Sequence, residues 1–202
     1  MKSKIFIILL IVLIITSCGS GDKAEDEFIN KVKSQVTTDS LYILVADLHD
    51  MISTTKPNLI IRCKVTERFD TIKKWSSLST PYEFEIAEVY LGDINKAGDK
   101  IIFNASYGVS GEMEGRKSYH PILRVGEEYI IFLRVDSING ELTYYLAYTP
   151  ASVLIVKGDK FTNPNPEWDY VFEPFDNRVS KLIKTLTKLI EQHDYDISME
   201  VV

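Results

Sequence analysis

The apolar and polar positions of this chain follow two periods, one over most of its length and another near its end. Leu59, Ile61, Cys63 and Val65 alternate with Arg62 and Lys64, the period-2 pattern of a half-buried strand, so a strand is predicted over residues 59–69. Tyr82, Phe84 and Ile86 share one face of a second run, but Val89 and Leu91 continue in the other phase. A bulge near Ala87-Glu88 reconciles the two halves, because one extra residue flips every later side chain to the opposite face. Residues 100–105 form a third strand. Residues 128–135 are apolar on both faces, as expected of a central strand covered on both sides. Asn139-Gly140 then predicts a hairpin into residues 142–148. Gly158-Asp159 predicts another, between residues 153–156 and 160–161.

From Pro174 the period lengthens. Val179, Leu182, Ile183, Leu186, Leu189 and Ile190 make one helical stripe, with Lys181, Lys184 and Lys188 on the wet side, so an amphipathic helix is expected over about 174–192. It should pack on the sheet or cover an opening. Phe28, Ile29, Val32 and Val36 suggest a short helix near the start. Residues 41–46 suggest a strand, and 47–55 a helix capped by Asp47 and stopped at Lys56-Pro57. Residues 70–81, 106–123 and 163–167 read as loops, and the alternation of Ile197, Met199 and Val201 as an edge strand. Many short strands with flanking helices predict a mainly β fold, an antiparallel barrel closed or nearly closed, as a single domain over 28–202.

The first residues carry an address. Lys2 and Lys4 precede eleven apolar residues, Ile5 to Ile15. As a helix this run spans about 16 Å, too short to cross a bilayer comfortably and right for a signal-peptide core. Ile15-Thr16-Ser17-Cys18 resembles the lipobox of bacterial lipoproteins. The resemblance implies cleavage after residue 17, a lipid on Cys18, and an extracytoplasmic location in the cell envelope, anchored to a membrane. Residues 18–27 then read as lipidated cysteine plus flexible tether. The acidic run after Gly21 resembles the surface-export signal of some Bacteroidetes lipoproteins, but a solvated linker is the simpler reading.

Composition narrows the function. The chain has 202 residues, 23 Lys and Arg against 29 Asp and Glu, and a net charge of −6. That argues against a nucleic-acid partner, which needs a basic face. Losing Lys2 and Lys4 on processing makes the body more acidic still, so the lipid must do the anchoring. With Cys18 lipidated, Cys63 reads as a small buried apolar residue rather than a nucleophile.

The order of features over about 42–163 resembles the netrin-like domains of the tissue-inhibitor-of-metalloproteinases type. It runs through a helix and strand (47–66), then Ile86-Ala87-Glu88-Val89-Tyr90-Leu91-Gly92, Gly98-Asp99-Lys100-Ile101, and Pro121 through Leu133. The resemblance implies an OB-type five-stranded barrel with helices. No inhibitory residue carries over, since those inhibitors work through a disulfide-fixed N-terminal cysteine and Cys18 has no such partner.

No reaction centre declares itself. His49, His120 and His193 are scattered, and no zinc, P-loop or dinucleotide motif is present. Gly108-Val109-Ser110-Gly111 lacks the spacing of a nucleophile elbow, because Glu112 stands where glycine would be needed. Glu112, Glu114 and His120 share a loop without ligand spacing, so neither a metal nor another cofactor is expected. The loops are the better candidates. Trp75 in the first, and Tyr107, Arg116, Tyr119 and His120 in the second, are residue types that serve interfaces. The expectation is a membrane-anchored, non-catalytic binding module for an envelope protein or glycan. Its alternatives are an envelope hydrolase using loop carboxylates or, by fold analogy, an extracellular protease inhibitor.

Overall fold

Alternation along β1 (Leu59–Arg68) sends Ile61, Cys63 and Val65 to one side of a sheet and leaves Arg62 and Lys64 on the other. The computed structural model describes residues 23–33, 45–74, 77–93, 95–110, 113–116, 121–138, 140–147 and 150–193. Residues 23–33 form helix α1. Helix α2 (Leu48–Thr55) follows, and Asp47 caps it by accepting a hydrogen bond from the Asp50 amide. Lys56 ends α2 in the left-handed region at φ 46°, its amide donating to the Ile52 carbonyl.

Among the described residues nine further strands follow: β2 (Ile72–Lys74), β3 (Ser77–Leu91), β4 (Lys100–Ala105), β5 (Tyr107–Ser110), β6 (Met113–Arg116), β7 (Glu128–Ile138), β8 (Glu141–Leu146), β9 (Val153–Lys157) and β10 (Lys160–Thr162). Two 3-10 segments, Pro166–Val171 and Glu173–Phe175, lead into helix α3 (Val179–His193).

All pairings are antiparallel. The main sheet runs β10-β9-β7-β1-β3-β2, with β4 added to β3 and β8 to β7; β5 and β6 pair separately. The expected barrel is corrected in one respect. β4 and β8 lie beside each other at the ends of the path β4-β3-β1-β7-β8 without forming a ladder, so the sheet curls but does not close. The bulge expected in β3 is present: Cys63 faces Ile86 and Arg62 faces Glu88, leaving Ala87 unpaired.

The sheet carries a hydrophobic core on each face. The inner core holds Cys63, Tyr82, Phe84, Phe103, Tyr107, Tyr129, Ile131 and Leu133, with Phe28, Ile29 and Val32 of α1 packed against it. The outer core holds Ile60, Ile130, Phe132 and Leu154 from the sheet, with Met51, Ile52, Trp168, Phe172, Leu182 and Leu186 from the helical layer. β7 therefore feeds both cores, as its unbroken apolar run predicted. The C-terminal helix packs on the sheet rather than over an opening.

Four other expectations change. Residues 72–74 and 77–79, expected within a loop, pair as strands, β2 against the first part of β3. The polar run hid this strand because Thr80 points inward, fully buried, its hydroxyl donating to the Tyr107 carbonyl at 2.6 Å. Residues 106–123 likewise contain the β5–β6 hairpin. Gly108 read as a loop glycine, but it is a packing glycine. A Cβ there would lie 2.3 Å from Thr71 Cγ2 and 2.6 Å from Thr80 Oγ1. Residues 23–27, read as tether, are helical. Val45 and Ala46 are not strand; residues 41–44, 34–36 and the predicted edge strand at 197–201 lie outside the described residues.

Candidate functional site

Of the loop residues singled out from sequence, only Tyr107 has a described side chain. Tyr107 is fully buried in the inner core, where its hydroxyl accepts a hydrogen bond from the Leu123 amide at 2.8 Å. Its ring packs edge-on to Tyr82 and 6.5 Å from Phe28. A ligand cannot reach that ring without opening the core, so Tyr107 is corrected from an interface residue to a structural one. Arg116 ends β6, but its side chain is outside the described set, as are Cys18, Trp75, Glu112, Tyr119 and His120. Cys63 is fully buried, and burial pushes its thiol up, away from the reactive thiolate. Tyr144 of β8 turns into the core, its hydroxyl donating to Asn95 Oδ1 at 3.3 Å.

The described surface has a cleft elsewhere. A groove of about 550 Å³ runs between the start of α2, the 3-10 segments and α3. That volume is in the range of small-ligand and short-peptide sites. Leu48, Val171, Phe175 and Leu189 supply apolar walls, Asp47, Lys181, Lys184 and Lys188 supply the charge, and His49 adds an imidazole.

Each wall is held in place by local chemistry. Asp50 accepts hydrogen bonds from the Ala46 amide at 2.7 Å and the Thr54 hydroxyl at 2.9 Å, which fixes the entry to α2. These two bonds, the backbone one first, hold the Asp50 carboxyl below its ordinary range. Tyr170 donates to the Val45 carbonyl at 2.7 Å and ties the first 3-10 segment to that entry. Asp159, in the β9–β10 turn, accepts from the Ser180 amide at 2.9 Å and from its hydroxyl, so a neighbouring hairpin caps α3. A carboxylate at a helix N-terminus also meets the positive end of the helix dipole.

The three lysines differ. Lys181 pairs with Asp176, which sits in the left-handed region just before α3. Asp176 is lowered chiefly by that hydrogen bond. Lys184 and Lys188 have no acidic partner among the described residues. Two cations beside an apolar trough can hold an anionic ligand that has an apolar flank. Nothing in the groove resembles a nucleophile with an oriented base. Among the described residues, no three His, Cys, Asp or Glu side chains are gathered as a metal site.

Sequence reasoning found these lysines only as the wet side of α3. Their i, i+3, i+7 spacing marked a stripe, but the facing wall lies more than 130 residues earlier in the chain, at Asp47–His49. No local signal links the two. The chain matches no protein-family model and no curated protein.

Proposed function

We propose that this protein is a lipid-anchored binding module of the bacterial envelope, and that its ligand site is the α2–α3 groove. The observation that carries the reading is the pairing of Lys184 and Lys188, without acidic partners among the described residues, with the apolar trough of Leu48, Val171, Phe175 and Leu189. The ligand class is an acidic, partly apolar segment of an envelope protein. Isolated surface lysines are common, but lysines along a walled groove confine the ligand's charge and position together. The lipobox resemblance at Ile15 to Cys18 supplies the anchor and the compartment. The netrin-like resemblance fits the strand path β4-β3-β1-β7-β8, in which the first strand of the domain is central.

The test immobilises the mature protein and exposes it to a detergent extract of its organism's envelope. A parallel column carries Lys184→Glu/Lys188→Glu. Proteins captured by the first column alone, and released as salt rises, support the groove, because attraction between exposed charges is screened within about 8–10 Å at 0.1–0.15 M salt. Equal capture by both columns removes it. A third column, with residues 111–120 replaced by a Gly/Ser linker, asks whether Arg116, Tyr119 and His120 hold the ligand instead.

A further inference from the structure

The lipid reading has a geometric consequence for the body of the protein. Cys18 is five residues from Lys23, the first described residue of α1. A fully extended chain covers at most about 3.5 Å per residue, so the lipid-bearing sulfur lies within about 20 Å of α1 whatever path those residues take. α1 is itself fixed to the sheet. Glu25 accepts from Arg68 Nε at 2.7 Å, with both side chains largely buried. The Arg68 guanidinium lies 4.0 Å over the Phe28 ring, and Asp26 accepts from Arg124 at 2.9 Å. Phe28, Ile29 and Val32 are buried beneath. With Cys18 lipidated, the first turn of α1, and the Arg68 and Arg124 that hold it, stay within about 20 Å of the lipid's attachment.

That end is not dressed for water. Phe69 and Ile72, just after Arg68, are 36% and 44% exposed; Val125, beside Arg124, is 43% exposed. They are three of the seven large apolar side chains exposed among the described residues, and they follow in sequence Arg68 and Arg124, the two residues that hold the first described turn of α1. The charges around them are mixed: Lys23, Lys73 and Arg124 stand with Glu27, Glu67 and Asp70, all exposed or partly so. Anionic headgroups gain little from such a surface, whereas apolar side chains gain from the interface of any bilayer.

We infer that Phe69, Ile72 and Val125 form a membrane-contact face that dips into the interfacial layer of a zwitterionic bilayer. This rests on the proposed lipidation of Cys18. The inference also orients the groove. α1 covers the inner face of the sheet, whereas the groove's helices cover the outer face, so the anchored helix and the groove lie on opposite sides of it.

The experiment separates the face from the lipidation. Mass spectrometry of the protein purified from bacterial membranes reads whether Cys18 carries acyl chains. Independently, the chain beginning at Cys18 is coupled through that thiol to a maleimide phospholipid in phosphatidylcholine vesicles; buried Cys63 does not compete. Phe69→Trp and Val125→Trp are compared with Leu142→Trp, on the β7–β8 hairpin, each carrying Trp75→Phe, with circular dichroism confirming the fold. With brominated lipid, the first two are expected to shift to the blue and lose emission, as for side chains about 5–10 Å into the headgroup boundary, and to do so equally at low and high salt. Leu142→Trp should keep its emission. Equal quenching at all three positions, or none, overturns the inference even where Cys18 proves to be acylated. An unacylated Cys18 with the expected quenching pattern would remove the native anchor and leave the face standing.

Discussion

The two faces of the sheet are built from the same strands and solve burial differently. On the inner face the sheet curls over itself and its own aromatic rings fill the space: Phe84 stacks on Phe103 at 5.5 Å, and Tyr82 meets Tyr107 edge-on at 6.1 Å. α1 seals the remainder with ion pairs. On the outer face, helices and 3-10 turns lie on the sheet like rods. Rods on a surface touch along lines and leave furrows between them. The inner face is filled mainly by the sheet's own rings, while the outer face buries its apolar residues under helices and still offers a groove. Buried tyrosines sharpen the contrast. Burial raises Tyr82, Tyr107 and Tyr129 above the ordinary phenol range, so the inner core keeps them neutral, and the Tyr107 and Tyr129 hydroxyls accept the Leu123 and Arg124 amides.

The largest expected effect comes from deleting an inner ring. Phe84→Ala removes one partner of the stacked pair in a site with little freedom to collapse, and should cost about 3–5 kcal/mol in guanidinium unfolding. Leu182→Ala, in the outer core, should cost about 2–5 kcal/mol. The comparison lies in the shape of the transition. If the two cores form one cooperative unit, both variants shift a single transition seen alike by helix circular dichroism and tyrosine fluorescence. Separate transitions for Leu182→Ala would show that the helical layer unfolds by itself.

Gly108→Ala comes next. The new methyl meets Thr71 and Thr80, two branched side chains on opposite arms of a hairpin. A loss of about 1–3 kcal/mol by overpacking is expected. A neutral outcome would mean that the β5–β6 hairpin is free to shift, which would return residues 106–123 to the loop they resemble in sequence. On the outer side, Lys184→Glu/Lys188→Glu should leave stability within about 0.5 kcal/mol of the parent, since exposed residues away from caps and cores rarely matter more. A larger loss would make these lysines structural rather than ligand-holding.

The smallest effect is electrostatic. Asp159 is held below its ordinary range, first by the Ser180 amide, then by the Ser180 hydroxyl. A carboxyl lowered by folding adds stability that is fully present above its unfolded pKa and is lost as pH falls through the folded value. Melting temperatures of the parent and Asp159→Asn should therefore differ at neutral pH and converge in acid. A constant difference would assign the effect to the shape of the cap rather than its charge.

Much of the fold was legible because strands here obey a two-residue period with few exceptions. The change of phase in β3 announced its bulge before any partner was known, and the unbroken apolar run of β7 announced two cores. Asp47, Asn139-Gly140 and Gly158-Asp159 placed a helix start and two turns through local hydrogen bonding and backbone preference alone. The failures share one cause. Thr80 is a polar residue made acceptable inside by a carbonyl 27 residues away. Gly108 is a glycine required by neighbours that are distant in sequence. Both wore the local signature of a loop, and so did Tyr107, whose buried place depends on Tyr82, Phe28 and Leu123.

The candidate site was less legible than the fold. Lys181, Lys184 and Lys188 were identified as one helix stripe, yet a stripe is a surface and a groove needs two. Patterns within a helix or strand follow from the residues' own spacing and from the need to bury one face, so the chain alone determined the strands, the C-terminal helix and their apolar sides. Which strands stop short of closing, which polar residues go inside, and which helix stands across from the lysines depend on contacts between segments far apart in the chain. Those contacts exist only once the sheet has curled and the helices have settled against it, so only the tertiary structure could decide them.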